Sequence, residues 1–93
     1  MKIFAAFSIY SDPDSWLTTA LLDVGATELA ARRLCANDSG SRTVDIWDES
    51  SKVIVTRCPL TAAMPELDPD EGELKARGLT AGDYVIVELP VAE

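Results

Sequence analysis

The sequence predicts an α+β domain of two layers, in which one main helix packs across an antiparallel sheet of four to five strands. Three observations lead to this prediction. Short runs rich in β-branched and aromatic residues recur along the chain, one helical segment lies among them, and turn signals join successive runs into hairpins. The predicted order is ββαββ with a further C-terminal strand. A length of 93 residues predicts a single domain, residues 1–93, with one core.

The first strand is predicted over residues 2–10, which are rich in Ile, Phe, Ala and Tyr. Side chains alternate between the two faces of a strand. Ile3 and Phe7 are therefore expected on one face, and Phe4 and Tyr10 on the other. An Asp-Pro-Asp turn signal follows directly.

The next run, residues 16–24, fits two structures. As a strand it places Trp16 and Leu22 on one side, whereas as a helix it collects Leu17 and Leu21 in one stripe. The paired threonines and the short preceding turn favour a strand, and hence a first hairpin.

The main helix is predicted over residues 27–36. Thr27 is a good N-cap, and Glu28 lies where the helix dipole favours a negative charge. Glu28 and Arg32 have the i, i+4 spacing of a surface ion pair. The apolar stripe expected to face the core consists of Ala30, Ala31, Leu34 and Cys35.

A second hairpin is predicted after the helix. Residues 42–48 alternate, with Val44 and Ile46 on one face and Trp47 on the other. The β-branched run at residues 52–58 is the predicted partner strand.

A long connection at residues 59–82 leads to the last strand. It contains the stretch MPELDPDEGEL, which has five carboxylates and no basic residue. A short helical turn is expected around residues 74–77. The final strand is expected to carry Val85, Val87 and Leu89 on one side.

The composition disfavours most catalytic chemistry. The chain has no histidine, which removes Ser-His and Cys-His pairs and the commonest metal ligand. Cys35 and Cys58 are too few for a four-ligand zinc site, and we expect both to be reduced, buried thiols. The acidic stretch lacks the spacing of a calcium-binding loop. We therefore expect no enzyme activity, no cofactor and no metal site.

The formal net charge of −8 limits the kinds of partner. It disfavours direct binding to nucleic acid, where Lys and Arg displace counterions, and to an anionic membrane surface. It leaves open a partner protein with a basic surface. We expect no transmembrane segment, because no apolar run approaches ~20 residues. We expect no signal peptide, because Ser8 interrupts the apolar start and no small-residue cleavage site follows it. With two reduced thiols, this indicates a cytoplasmic protein.

Two sets of residues are candidates for a binding surface. The acidic stretch is either a solvated loop or a surface that engages Arg and Lys of a partner. The aromatic side chains either lie on an open sheet face or are covered by the long connection. The carboxylate candidates are Glu66, Asp68, Asp70, Glu71 and Glu73, and the aromatic candidates are Phe4, Trp16, Trp47 and Tyr84.

The layout of residues 1–57, with a helix opened by VGATELAARRL and followed by RTVDIWDESSKVIV, resembles small phage-encoded proteins that include some anti-CRISPR proteins. The resemblance implies an inhibitor that acts by binding and blocks a basic or nucleic-acid-binding surface of its partner. The stretch LKARGLTAGDYVIVE also resembles swapped-hairpin transcription regulators and antitoxins, which need a basic DNA-binding face, whereas the surrounding segment here is acidic.

The alternative function belongs to a different class. A structural or oligomerising domain would bury the open sheet face in a homodimer and would inhibit nothing.

Overall fold

A computed structural model describes residues 2–14, 16–57 and 71–90, which form a mixed four-stranded sheet with helices on both faces. The sheet order is β2-β1-β4-β3; β1 is antiparallel to both of its neighbours, and β3 is parallel to β4. The elements in chain order are β1 (Lys2–Ser11), β2 (Leu17–Gly25), α1 (Glu28–Asp38), α2 (Val44–Ser50), β3 (Val53–Arg57), α3 (Glu71–Ala76) and β4 (Tyr84–Pro90).

The first hairpin and the main helix are confirmed. The run after the Asp-Pro-Asp turn forms β2, so the strand interpretation of residues 16–24 is right and the helical alternative is wrong. In α1, the Thr27 side chain accepts the N–H of Ala30, and Arg32 Nε lies 3.2 Å from Glu28 Oε2. The helix stripe is buried at Ala31 and Cys35 and half-buried at Ala30 and Leu34.

The predicted second hairpin is wrong, because its first strand is the helix α2. The Thr43 hydroxyl accepts the N–H of Ile46, as an N-cap does. The alternating pattern of residues 42–48 predicted a strand, but Val44 and Trp47 also fit a helical period. They are spaced i, i+3 and face the core together, while Ile46 is exposed.

The sheet is consequently mixed and not antiparallel. With α2 in place of a strand, β3 follows a helix and precedes another, and it pairs with β4 in parallel from Val53 opposite Tyr84 to Arg57 opposite Glu88. Parallel neighbours need a crossover connection, whereas a two-residue hairpin can join only antiparallel strands. The observed order ββααβαβ replaces the predicted ββαββ with a further strand.

Both faces of the sheet are covered, so the prediction of one covering helix is also corrected. We name the two groups of buried residues after their largest members. The Phe7 cluster, on the face of α3, comprises Ala5, Phe7, Ile9, Leu74, Leu79, Val85 and Val87. The Trp47 cluster, on the face of α1 and α2, comprises Ala6, Ala31, Cys35, Ala36, Trp47, Tyr84 and Ile86.

Helix α3 confirms the predicted helical turn and is closed by Gly78 at φ +72°. The N–H of Leu79 bonds to the carbonyl of Leu74, and the N–H of Gly78 to that of Lys75. This is the Schellman arrangement, which brings the residues on either side of the glycine together. It places Leu74 and Leu79 side by side over the Phe7 cluster.

The junction between β2 and α1 depends on a second glycine. A Cβ at Gly25 would lie 2.9 Å from the N of Ala31 and 3.0 Å from the Cβ of Ala30. The end of the strand therefore approaches the helix closely only because no side chain intervenes. Among the described residues, no helix is long and apolar enough to cross a membrane.

Candidate binding surface at the end of the first hairpin

The hairpin of β1 and β2 ends in a turn held by one carboxylate. Asp12 Oδ1 accepts hydrogen bonds from the backbone N–H groups of Asp14 and Trp16, both at 2.9 Å. The N–H of Asp12 donates to the carbonyl of Trp16 at 3.0 Å, which extends the strand ladder. Side chain to backbone bonds of this kind are typical of Asp in turns, and they give this end of the molecule a defined shape.

Two aromatic side chains are exposed on one face of this turn. Tyr10 is 47% exposed and Trp16 is 59% exposed. Tyr10 pairs with Thr18, and Trp16 lies opposite Asp12. The pairing makes Tyr10 and Trp16 diagonal neighbours on the same face, within reach of each other's rings. We name Tyr10, Asp12, Asp14 and Trp16 the hairpin-end surface.

Helix α3 places another carboxylate beside the hairpin. Glu71 Oε2 accepts the backbone N–H of Leu17 at 2.6 Å, and Glu71 Oε1 lies 2.8 Å from Lys75 Nζ. Hydrogen bonding from Lys75 lowers the pKa of the Glu71 carboxyl, and the N–H of Leu17 acts in the same direction, while burial and Asp12 oppose them. Glu71 is therefore charged at neutral pH and joins α3 to the start of β2.

The carboxylates and aromatic rings of the hairpin-end surface can bind a cationic group. Within residues 2–14, 16–57 and 71–90, neither Asp12 nor Asp14 forms an ion pair. The faces of Tyr10 and Trp16 carry negative electrostatic potential, which attracts Lys and Arg by about 0.5–2 kcal/mol per contact. Carboxylates and aromatic rings on a fixed turn can therefore recognise a basic side chain in two ways at once.

The predicted carboxylates fall into two groups. Glu66, Asp68 and Asp70 lie outside the described residues. Glu71 and Glu73 lie on α3, and both engage cations of their own helix, since Arg77 Nη2 lies 3.1 Å from Glu73 Oε1.

The predicted aromatic residues divide by burial. Trp16 is exposed as expected of an interface residue. Trp47 and Tyr84 instead lie in the core at 1% and 5% exposure, their rings 5.6 Å apart in an edge-to-face arrangement. Phe4 is half-buried against the same cluster. Of the two alternatives for these three rings, the open sheet face is wrong, because α1 and α2 cover that face.

Tyr10 was expected on the same strand face as Phe4, but Tyr10, Asp12 and Asp14 were not among the predicted binding residues. A signal was present, since an aromatic residue stands two positions before the Asp-Pro-Asp turn and another stands two positions after it. Residues that flank a tight hairpin turn come together across the strands. The turn was interpreted only as a chain reversal.

Cys35 offers no reactive thiol. It is free and fully buried, and burial, reinforced by the charge of Asp38, raises its pKa to about 12. A thiol reacts as the thiolate, so Cys35 is unreactive at neutral pH. Cys58 lies outside the described residues. Among the side chains that the structure describes, no three His, Cys, Asp or Glu residues are grouped to hold a metal ion.

Comparisons of the chain with protein-family models, with curated proteins and with solved structures find no match. The geometry of the hairpin-end surface and the charge of the chain are therefore the basis for inferring a function.

Proposed function

We propose that this protein is a small, non-enzymatic binding protein that docks its hairpin-end surface against a basic surface of a partner protein and inhibits that partner. The observation that carries the proposal is the pair of exposed rings, Tyr10 and Trp16, beside Asp12 and Asp14, whose carboxylates form no ion pair within the described residues. Tyr and Trp are the residues most enriched at the energetic centres of protein interfaces.

The charge of the chain supports the same kind of partner. A net charge of −8 accelerates encounter with a basic surface and slows encounter with an acidic one. Carboxylates compete with phosphate groups for the same Lys and Arg side chains. A partner that uses this basic surface to bind nucleic acid would therefore be blocked while the protein itself binds no nucleic acid.

The proposal is tested with single substitutions at the two components of the surface. After capture of a partner on immobilised protein, Trp16→Ala is expected to weaken its affinity at least about tenfold, as at interface hot spots. Asp14→Lys is expected to slow association and to reduce its dependence on salt. Both side chains are exposed, so circular dichroism should show an unchanged fold.

Matched controls separate this surface from general effects. Ile46→Ala removes an apolar side chain that is 67% exposed on α2, and Glu28→Lys makes the same charge reversal on α1. Ile46→Ala should leave binding unchanged, and Glu28→Lys should slow association less than Asp14→Lys does, because it alters only the net charge. A partner that binds the Trp16→Ala and Asp14→Lys proteins as tightly and as fast as the parent protein would contradict the proposal.

The inhibitory part has its own test. If the captured partner binds nucleic acid, the parent protein should displace that nucleic acid in a gel-shift titration, and Trp16→Ala should displace it at higher concentration only. A ternary complex that persists at saturation would leave binding intact and refute blocking.

A homodimer through β2 is the second candidate. β2 is an edge strand, and it exposes Leu21 and Val24. Carboxylates already cap N–H groups at both ends of this edge, with Glu71 at Leu17 and Asp23 at Val24. Sedimentation should show a dimer that Leu21→Lys dissociates, whereas a monomer at every concentration would eliminate this candidate.

A further inference from the structure

A groove of about 470 Å³ lies between α1, along its length from Leu29 to Asn37, and the start of α2. This surface shares no residue with the hairpin-end surface. Its volume falls in the range of small-molecule sites, about 300–1,000 Å³. The side chains that give the groove its character are Leu29, Arg33, Asn37, Arg42, Val44 and Asp45.

The two arginines of this groove are unusual for this chain. The protein has 16 acidic and 8 basic residues, so a cation should find a carboxylate easily. Arg33 and Arg42 nevertheless have no ion-pair or hydrogen-bond partner among the side chains that the structure describes. The other arginines and lysines pair with carboxylates, apart from Lys52, which donates to a carbonyl: Lys2, Arg32, Arg57, Lys75 and Arg77.

The groove also has an apolar wall. Leu29 is 49% exposed although it lies on the main helix, and Val44 is half-buried beside it. The groove thus combines an exposed leucine with two arginines that lack a carboxylate partner among the described residues. It complements a molecule that has one anionic end and one apolar end.

We propose that this groove binds a small ligand with an anionic head, either a carboxylate or a phosphate monoester, and a short apolar tail. The head lies between the guanidinium groups of Arg33 and Arg42, which donate paired N–H bonds in a geometry that matches both anions. The tail lies against Leu29 and Val44. Charge complementarity favours the anion, because the lining holds two arginines and only one carboxylate, that of Asp45.

The test uses amide chemical shifts of isotope-labelled protein titrated with four probes. Hexanoate and hexyl phosphate carry the head and the tail, hexanol carries only the tail, and inorganic phosphate carries only the head. We expect saturable shifts at groove amides with hexanoate or hexyl phosphate, and the tighter of the two identifies the head. Hexanol and inorganic phosphate should bind at least tenfold more weakly.

Substitutions then assign the contacts. Arg33→Gln and Arg42→Gln should each weaken the tighter probe about tenfold or more, as expected on loss of a charge-assisted hydrogen bond. Asp45→Asn should tighten it several-fold, a gain that a purely structural residue would not produce. Arg77→Gln changes the net charge equally just after the end of α3 and should leave the affinity unchanged.

Three results would overturn the proposal. The first is the absence of saturable shifts at groove amides with either amphiphilic probe. The second is an equal response to hexanol, which would mean an apolar contact without anion recognition. The third is equal weakening by Arg77→Gln, which would mean that the probes respond to net charge and not to this groove. None of these results depends on the hairpin-end surface.

Discussion

The two faces of the sheet carry cores of equal size and different chemistry. Within the described part of the chain, each cluster contains seven buried residues. The Phe7 cluster is built of aliphatic side chains and one phenyl ring, so its side chains bring no polar atom into the core. The Trp47 cluster buries a thiol, an indole N–H and a phenol. The strand β4 supplies residues to both, with Val85 and Val87 on one face and Tyr84 and Ile86 on the other.

The two clusters differ in whether they contain buried polar atoms that need hydrogen-bond partners. The Tyr84 hydroxyl donates to Asp38 Oδ2 at 2.9 Å, which satisfies the phenol at the edge of the core. Trp47 Nε1 is buried and has no hydrogen-bond partner among the described residues. A buried polar atom without a partner costs stability. The desolvation of the indole N–H therefore offsets part of the packing energy of the Trp47 cluster. The Phe7 cluster depends on packing alone.

The largest expected effect comes from truncating the largest ring on either face. Phe7→Ala and Trp47→Ala should each lower the free energy of unfolding by about 3–5 kcal/mol, because each leaves a cavity in a packed core. That is a large share of the ~5–15 kcal/mol of a typical domain. Urea denaturation followed by circular dichroism measures both, with Ile46→Ala as the exposed control.

A subtler substitution sharpens this comparison. Trp47→Phe keeps most of the apolar bulk and removes the unpartnered N–H, so it should recover much of the loss seen in Trp47→Ala. If Trp47→Phe costs as much as Trp47→Ala, the indole N–H has a partner, and the two faces differ less than the hydrogen bonds indicate.

An intermediate effect is expected at the phenol. Tyr84→Phe should lower the free energy of unfolding by about 0.5–1.5 kcal/mol, the usual net value of one hydrogen bond. Asp38→Ala should cost a similar amount, and the double variant should show that the two losses are not additive. Additive losses in this cycle would mean that the bond to Asp38 does not stabilise the fold.

The smallest effect is expected from pH, through one carboxyl associated with each face. Hydrogen bonding from Lys2, aided by the charge of Arg57, lowers the pKa of Glu88, which lies 3.0 Å from Lys2 Nζ and 2.7 Å from Arg57 Nε. The pKa of Glu71, on the α3 side, is lowered chiefly by hydrogen bonding from Lys75. A folded-state pKa below the ordinary value of 4.5 adds stability that is present above that pH and is lost as pH falls through the folded value.

Denaturation midpoints measured from pH 6 downward should therefore decline below about pH 4.5. Glu88→Gln and Glu71→Gln should each flatten part of this decline, and Lys2→Gln should mimic Glu88→Gln. Profiles parallel to that of the parent protein would show that these ion pairs do not couple folding to protonation. Both partners of Glu88 are well exposed, so salt should weaken the effect.

Elements with strong local signals were predictable. The N-cap Thr27 and the i, i+4 pair of Glu28 and Arg32 predicted α1, because capping and side-chain pairing involve neighbours in sequence. Helix α2 was mistaken for a strand because four residues of alternating character also fit one helical turn. In the structure α2 begins at an N-cap, Thr43, which the alternating pattern of these residues does not reveal.

Only part of the candidate site could be predicted from local sequence signals. Trp16 was identified as an interface residue, and it is exposed. Trp47 and Tyr84 were predicted as interface residues as well, but residue 47 belongs to α2 and both rings are buried beneath the helices in the Trp47 cluster. Tyr10, Asp12 and Asp14 needed the cross-strand register before they could be recognised as one surface with Trp16.

The sequence by itself determined the net charge of −8, the absence of histidine and the positions of β1, β2, α1 and β4, because composition, capping and alternation are local properties. Only the tertiary structure decided that β3 pairs in parallel with β4, that α3 covers the second face, and that Arg33 and Arg42 meet no carboxylate in the part of the chain that the structure describes. These features depend on contacts between residues far apart in sequence. Burial and charge pairing are set by which segments pack together, and a pattern of two or three neighbouring residues carries no information about that.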